Sequence, residues 1–80
     1  MNLKNKNIVI TGGADGIGKA LAKRFLSESP NSVHLIDINP NVIQVAELMG
    51  INAYIVDVSN PKNVTSTLNK IIDQVGKIDL

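Results

Sequence analysis

Thr11-Gly12-Gly13-Ala14-Asp15-Gly16-Ile17-Gly18 places four glycines within seven residues, directly after the apolar run Ile8-Val9-Ile10. Glycine loses more backbone freedom on folding than any other residue, so the cluster needs a role that side chains would obstruct. At a strand-to-helix junction that role is the approach of backbone N–H groups to an anion, where the helix dipole also favours negative charge. A bound phosphate suits this loop. The competing reading is a tight turn at Gly12-Gly13, with Gly16 and Gly18 admitting close helix packing. Asp37, nineteen residues after Gly18, and Asp57 each stand near the end of an apolar run. A carboxylate there can accept hydrogen bonds from ligand hydroxyls, or it can simply cap the turn.

These groups need a frame that brings them together. Residues 7–11, 32–37 and 52–58 are near-continuous runs rich in Val, Ile and Leu, as expected of strands covered on both faces of a parallel sheet. Three segments between and after them carry helical spacing. The first has Ile17, Leu21 and Phe25 with Ala20; the second has Val42, Ala46 and Met49, widened by Val45 and Leu48. The third sets Val64, Leu68, Ile71, Ile72 and Val75 opposite Thr65, Ser66, Asn69, Lys70 and Asp73. Asn39-Pro40 and Asn60-Pro61 read as N-caps followed by proline at the first helical position, and Gly50 and Gly76 as C-terminal stops. The expected fold is α/β, with alternating strands and helices. Parallel strands linked by helical crossovers bind ligands at their carboxyl ends. The glycine loop, Asp37 and Asp57 are then expected on one rim.

Composition narrows the ligand. Eight basic and seven acidic residues give a net charge of +1. They are spread singly, and one Tyr and one Phe offer no stacking platform, so nucleic-acid binding has little support. No apolar run is long enough for a membrane, and the polar N-terminus lacks a signal-peptide core, so a cytoplasmic protein is expected. There is no cysteine and one histidine, His34, so neither a disulfide nor a metal staple is expected.

The loop spacing is Gly12-x-x-x-Gly16-x-Gly18 with Thr11 in front, unlike the more common Gly-x-Gly-x-x-Gly. In this it resembles the cofactor loop of the short-chain dehydrogenase/reductase family. The likeness runs through the chain: Asp57-Val58 is similar to the family's Asp-hydrophobic pair at the adenine ring, and Gly76-Lys77-Ile78-Asp79-Leu80 to the lead-in to its fourth strand. The resemblance implies a Rossmann-type three-layer αβα fold, strand order 3-2-1-4, with the fourth strand only begun. It implies that Gly12, Gly16, Ile17 and Gly18 bring backbone to a pyrophosphate, that Asp37 accepts from the adenosine ribose, and that Asp57 lines the adenine pocket beside Val58. Members preferring NADP often carry Arg or Lys where this chain has Asp15 and Ile38. A 2′-phosphate beside Asp37 would meet repulsion of order 4 kcal/mol per charge pair at ~4 Å before solvent screening. NAD(H) is therefore the expected cofactor.

Family chemistry is hydride transfer between the nicotinamide and a carbonyl or alcohol, using a serine and a Tyr-x-x-x-Lys pair. The sole tyrosine, Tyr54, is followed four residues later by Val58, so it reads as a sheet residue, and His34 as structural. No catalytic residue is expected in the chain. The 80 residues read as the cofactor half of a domain cut before its catalytic half, inactive alone, with substrate and any homo-oligomer belonging to a longer parent. The alternative is a non-catalytic nucleotide-binding or interaction module, a decoy or sensor of the same fold. With three residues of a fourth strand, residues 8–10 are expected to keep an exposed apolar edge and the third helix to find little sheet, leaving the chain poorly stable.

Overall fold

In a computed structural model, residues 3–12 and 16–80 are described. The elements alternate: β1 (Asn7–Thr11), α1 (Gly16–Leu26), β2 (Ser32–Asp37), α2 (Asn41–Met49), β3 (Asn52–Ile55) and α3 (Pro61–Val75). The strands are all parallel, with β2 central. Asn7 pairs with Ser32, Thr11 with Ile36, and Asp37 with Ile55, so the carboxyl ends are level. The third strand is shorter than its apolar run suggests. Its ladder continues through Val56 N–H to Asp37 O (2.9 Å), after which Asp57 turns the chain.

Both faces of the sheet are covered, which is why the strands do not alternate polar and apolar. Ile8, Ile10, Val33 and Leu35 meet Ala22 of α1 and Val42, Val45 and Ala46 of α2 on one face. Ile36 and Val56 meet Ile71 of α3 on the other, with Val9, Tyr54, Val64 and Leu68 around them. Burial of each large side chain of this kind is worth about 1.5–3 kcal/mol.

One helix turns a different face inward than its spacing suggests, while α2 buries the expected Val42, Val45 and Ala46 and leaves out one residue of its stripe. In α1 the buried residues are Gly18 and Ala22, while Ile17 is 79% and Leu21 42% exposed. In α2, Leu48 is also exposed. Small residues let α1 lie close on the strands, and two stripes one residue apart both satisfy the helical period. The start of α3 and the end of α2 follow the sequence, whereas α2 begins one residue later than expected, with Pro40 itself at the N-cap and no side-chain capping bond from it. Asn60 Oδ1 accepts from Lys62 and Asn63 N–H with Pro61 behind it, and Asn39 Oδ1 accepts from Asn41 N–H (2.9 Å) ahead of α2. Gly50 closes α2 in the left-handed region at φ 71°.

The expected bare edge on β1 is not bare. Asn7 O accepts from Asp79 N–H (2.9 Å) and Val9 N–H donates to Leu80 O (2.9 Å), on the side of β1 away from β2. Ile8 and Ile10 are buried, and α3 has sheet to cover, since Ile71 is fully enclosed. The order is thus 3-2-1, with the last residues laid against the outer side of β1.

Candidate functional site

The rim is built by the residues that leave each strand. Gly12 takes φ 72°, a left-handed conformation that a side chain would strain, and its N–H donates to Ile36 O (2.8 Å). That bond extends the β1–β2 ladder one residue past Thr11. Gly16 then opens α1, whose first turn holds no acidic side chain. A Cβ added at Gly16 would meet nothing within 4 Å. Among the described residues, then, no neighbour requires glycine at this position. Gly18 is buried on the helix's inner side, and Ile17 faces outward. Asp15, with Gly13 and Ala14, lies outside the described residues.

Asp37 ends β2, half-buried. Its Oδ1 accepts from Asn39 N–H (3.1 Å), and its backbone carbonyl accepts from Val56 N–H. Asp57 follows β3, and its Oδ1 accepts from both the N–H (2.9 Å) and the hydroxyl (2.6 Å) of Ser59. The Ser59 hydroxyl and N–H hold the Asp57 carboxyl below the usual carboxylate range, so it stays ionised at neutral pH. Each aspartate is followed by an exposed apolar side chain, Ile38 at 62% and Val58 at 53%. Ile38 was read only through its charge, although the repeated Asp-apolar pair at 37–38 and 57–58 carried the signal.

From the strand register, Gly12, Asp37 and Asp57 all stand at the carboxyl end of the sheet. A helix opened by glycine, two acceptors and two apolar patches make a surface suited to a phosphate joined to a sugar and a flat ring. Tyr54 does not join it. Its hydroxyl lies 3.3 Å from His34 Nδ1, and His34, 1% exposed, is spent on Tyr54 and on the Ser32 hydroxyl. Among the described residues no group of His, Cys, Asp and Glu is placed to hold a metal ion, and no helix is long and apolar enough to cross a membrane.

Strand order, crossover layers and the glycine-led rim together define a Rossmann-type βαβ sheet. Residues 6–80 match the model of the short chain dehydrogenase family, and the chain belongs to that family. It is 32% identical over 83 residues to the oxidoreductase UcpA of Escherichia coli K12, covering 98% of this chain and 31% of that protein. An NAD-dependent glycerol dehydrogenase of Listeria innocua is 37% identical over 82 residues, covering 99% of this chain and 32% of its own length. The crystal structure of a short-chain dehydrogenase/reductase from Burkholderia phymatum in complex with NAD superposes with a TM-score of 0.90. At 23% identity, covering 98% of this chain and 30% of that one, it attests the shared fold. The chain thus spans about a third of the length of these relatives.

Proposed function

We propose that this chain forms the adenosine and pyrophosphate side of an NAD(H) site in an oxidoreductase acting on a carbonyl or alcohol substrate. The observation that carries the reading is that Gly16, where an added Cβ has open space, opens the helix after β1, whose carboxyl end lies at the same end of the sheet as Asp37 and Asp57. Glycine is disfavoured in helices by about 1 kcal/mol relative to alanine, so one that the protein does not itself need fits a close-lying ligand. In this reading Gly12, Gly16, Ile17 and Gly18 present backbone to the pyrophosphate, and Asp15, between them in sequence, belongs to the same cofactor-binding set. Asp37 accepts from the ribose hydroxyls. Asp57 meets the adenine edge, and Ile38 and Val58 give the ring an apolar seat. The cofactor, when bound, supplies the hydride acceptor or donor. The sequence holds no Tyr-x-x-x-Lys, so the proton-transferring groups are assigned outside these 80 residues and the chain alone is expected to be inactive. Substrate recognition and any assembly of copies are assigned with them.

The choice of NAD over NADP follows from Asp37. A third of the repulsion between one carboxylate and one phosphate charge is still about tenfold in affinity. Calorimetric titration of the chain with both cofactors tests the reading. Binding of NAD near the millimolar range, with NADP about tenfold weaker, is expected. Equal or tighter NADP binding would overturn it.

A further inference from the structure

The opposite end of the sheet holds a chain of buried polar groups that the rim does not use. Asn7, first in β1, is 5% exposed. Its Nδ2 donates to the carbonyls of Lys77 (2.9 Å) and Val75 (3.4 Å), so its Oδ1 must face the other way. There it accepts from Asn31 Nδ2 (2.7 Å) and from the Ser32 hydroxyl (2.8 Å). Ser32 has one hydrogen, and Asn7 Oδ1 takes it because an amide oxygen cannot donate. The 2.9 Å contact between Ser32 Oγ and His34 Nε2 can then only run from Nε2–H to Oγ. In the neutral ring this leaves Nδ1 as an acceptor, and Tyr54 O–H supplies the donor at 3.3 Å. Each hydrogen bond fixes the direction of the next.

We propose that this Tyr54–His34–Ser32–Asn7 chain is an acid-sensitive latch, joining β3, β2, β1 and the segment after α3 at full strength only while the imidazole is neutral. A protonated ring would carry a donor at both nitrogens. Tyr54 would have to turn its hydrogen away, and the charge would sit at a site 1% exposed. Among the described residues the ring nitrogens meet only Tyr54 and Ser32, neither of them a carboxylate. From α3 the same face meets Val64, Leu68, Ile71 and Val75, from β1 Val9, and from β3 Tyr54. On the segment after α3, Asp79 is committed to Asn7 N–H (2.8 Å) and Lys77 (3.4 Å). Burial accordingly holds His34 below its usual range and Tyr54 above its own, both on the neutral side.

The sign of the linkage follows. Above the unfolded pKa of about 6.5 both states are neutral and the latch contributes fully; below it, the unfolded chain takes a proton that the folded one resists. Stability falls as pH falls through that window. Because His34 is the only histidine, nitrogen-detected NMR of the full chain reads its state without ambiguity. The expected result is a ring protonated at Nε2 and bare at Nδ1, titrating below 6.5. A neutral ring protonated at Nδ1, or titration at or above 6.5, would overturn the latch. Urea unfolding at about pH 7.5 and 5.5 gives a second reading, below the range of tyrosine and above that of carboxylates. The unfolding constant should rise between about threefold and the roughly tenfold ceiling set by one pH unit below 6.5, while H34Q stays flat. An equal rise in both overturns the proposal. Should H34Q fail to fold, the NMR result on the unaltered chain decides.

Discussion

The two ends of one sheet use hydrogen bonds in opposite ways. At the carboxyl end the side-chain bonds are local: Asp37 to Asn39, Asn39 to Asn41, Asp57 to Ser59 and Asn60 to Lys62 each span two residues. They shape loops without tying elements together. At the amino end Asn7 reaches Asp79, 72 residues away, Lys77 at 70 and Ser32 at 25. The lesson is a division of labour, in which the base ties distant strands together and the side-chain bonds of the rim shape its own turns.

Asn7→Leu should show the largest effect. It strips the acceptor from Asn31 and Ser32 and the donor from the Val75 and Lys77 carbonyls. Asn31 is exposed and finds water, but a buried group left unpaired costs about 1–3 kcal/mol, so a loss of roughly 3 kcal/mol is expected over the rest, against the ~3–5 kcal/mol that a core of this size supplies. Urea unfolding followed by circular dichroism would then find the chain only marginally folded in water, with about 0–2 kcal/mol of stability left. A loss below about 1 kcal/mol would mean that the base is not the tie.

Gly16→Ala should separate the two ends within one variant. The new methyl meets open space and favours the helix, so stability should hold or rise by up to about 1 kcal/mol. NAD affinity should drop at least about tenfold, equivalent to 1.4 kcal/mol, because the methyl stands where the pyrophosphate would lie. Parallel losses of stability and binding would break the contrast.

A smaller change is expected from Asp37→Asn. The amide keeps an oxygen for Asn39 N–H, so unfolding should shift by less than about 0.5 kcal/mol. Removing the charge should weaken NAD a few-fold and strengthen NADP, narrowing the gap between them in the same titration. An unchanged ratio would remove Asp37 from cofactor choice.

These contrasts also explain what could be read in advance. The rim was legible because its parts are local: a glycine spacing, an Asp-apolar pair and an Asn-Pro cap each occupy consecutive residues. The strand order and the placement of the last residues against β1 followed from family likeness. The base was not legible, because nothing in the spacing of Asn7, Ser32, His34 and Tyr54 says that they share one end of one face. The inward face of α1 was misread for a related reason. Ile17 and Leu21 look like core by hydrophobicity, but the distance between helix and strand decides, and it selects Gly18 and Ala22.

The smallest predicted effect compares one carboxylate from each end. Both Asp79 and Asp57 are held below the usual carboxylate range, Asp79 chiefly by Asn7 N–H and Asp57 chiefly by the Ser59 hydroxyl. A carboxyl lowered in the fold contributes stability above its unfolded pKa of about 3.8–3.9, and loses it as pH falls through the folded value. The two should still differ. Asp57 and Ser59 are two residues apart, so their turn persists in part in the unfolded chain and lowers the pKa there too. Asp79 meets Asn7 only when the sheet is formed. Unfolding midpoints recorded between about pH 5 and 2.5 should therefore flatten in Asp79→Asn and stay close to wild type in Asp57→Asn, a window well below that of His34. Equal flattening in the two variants would mean that the rim carboxylate ties the fold as the base one does, and the division between the two ends would fail.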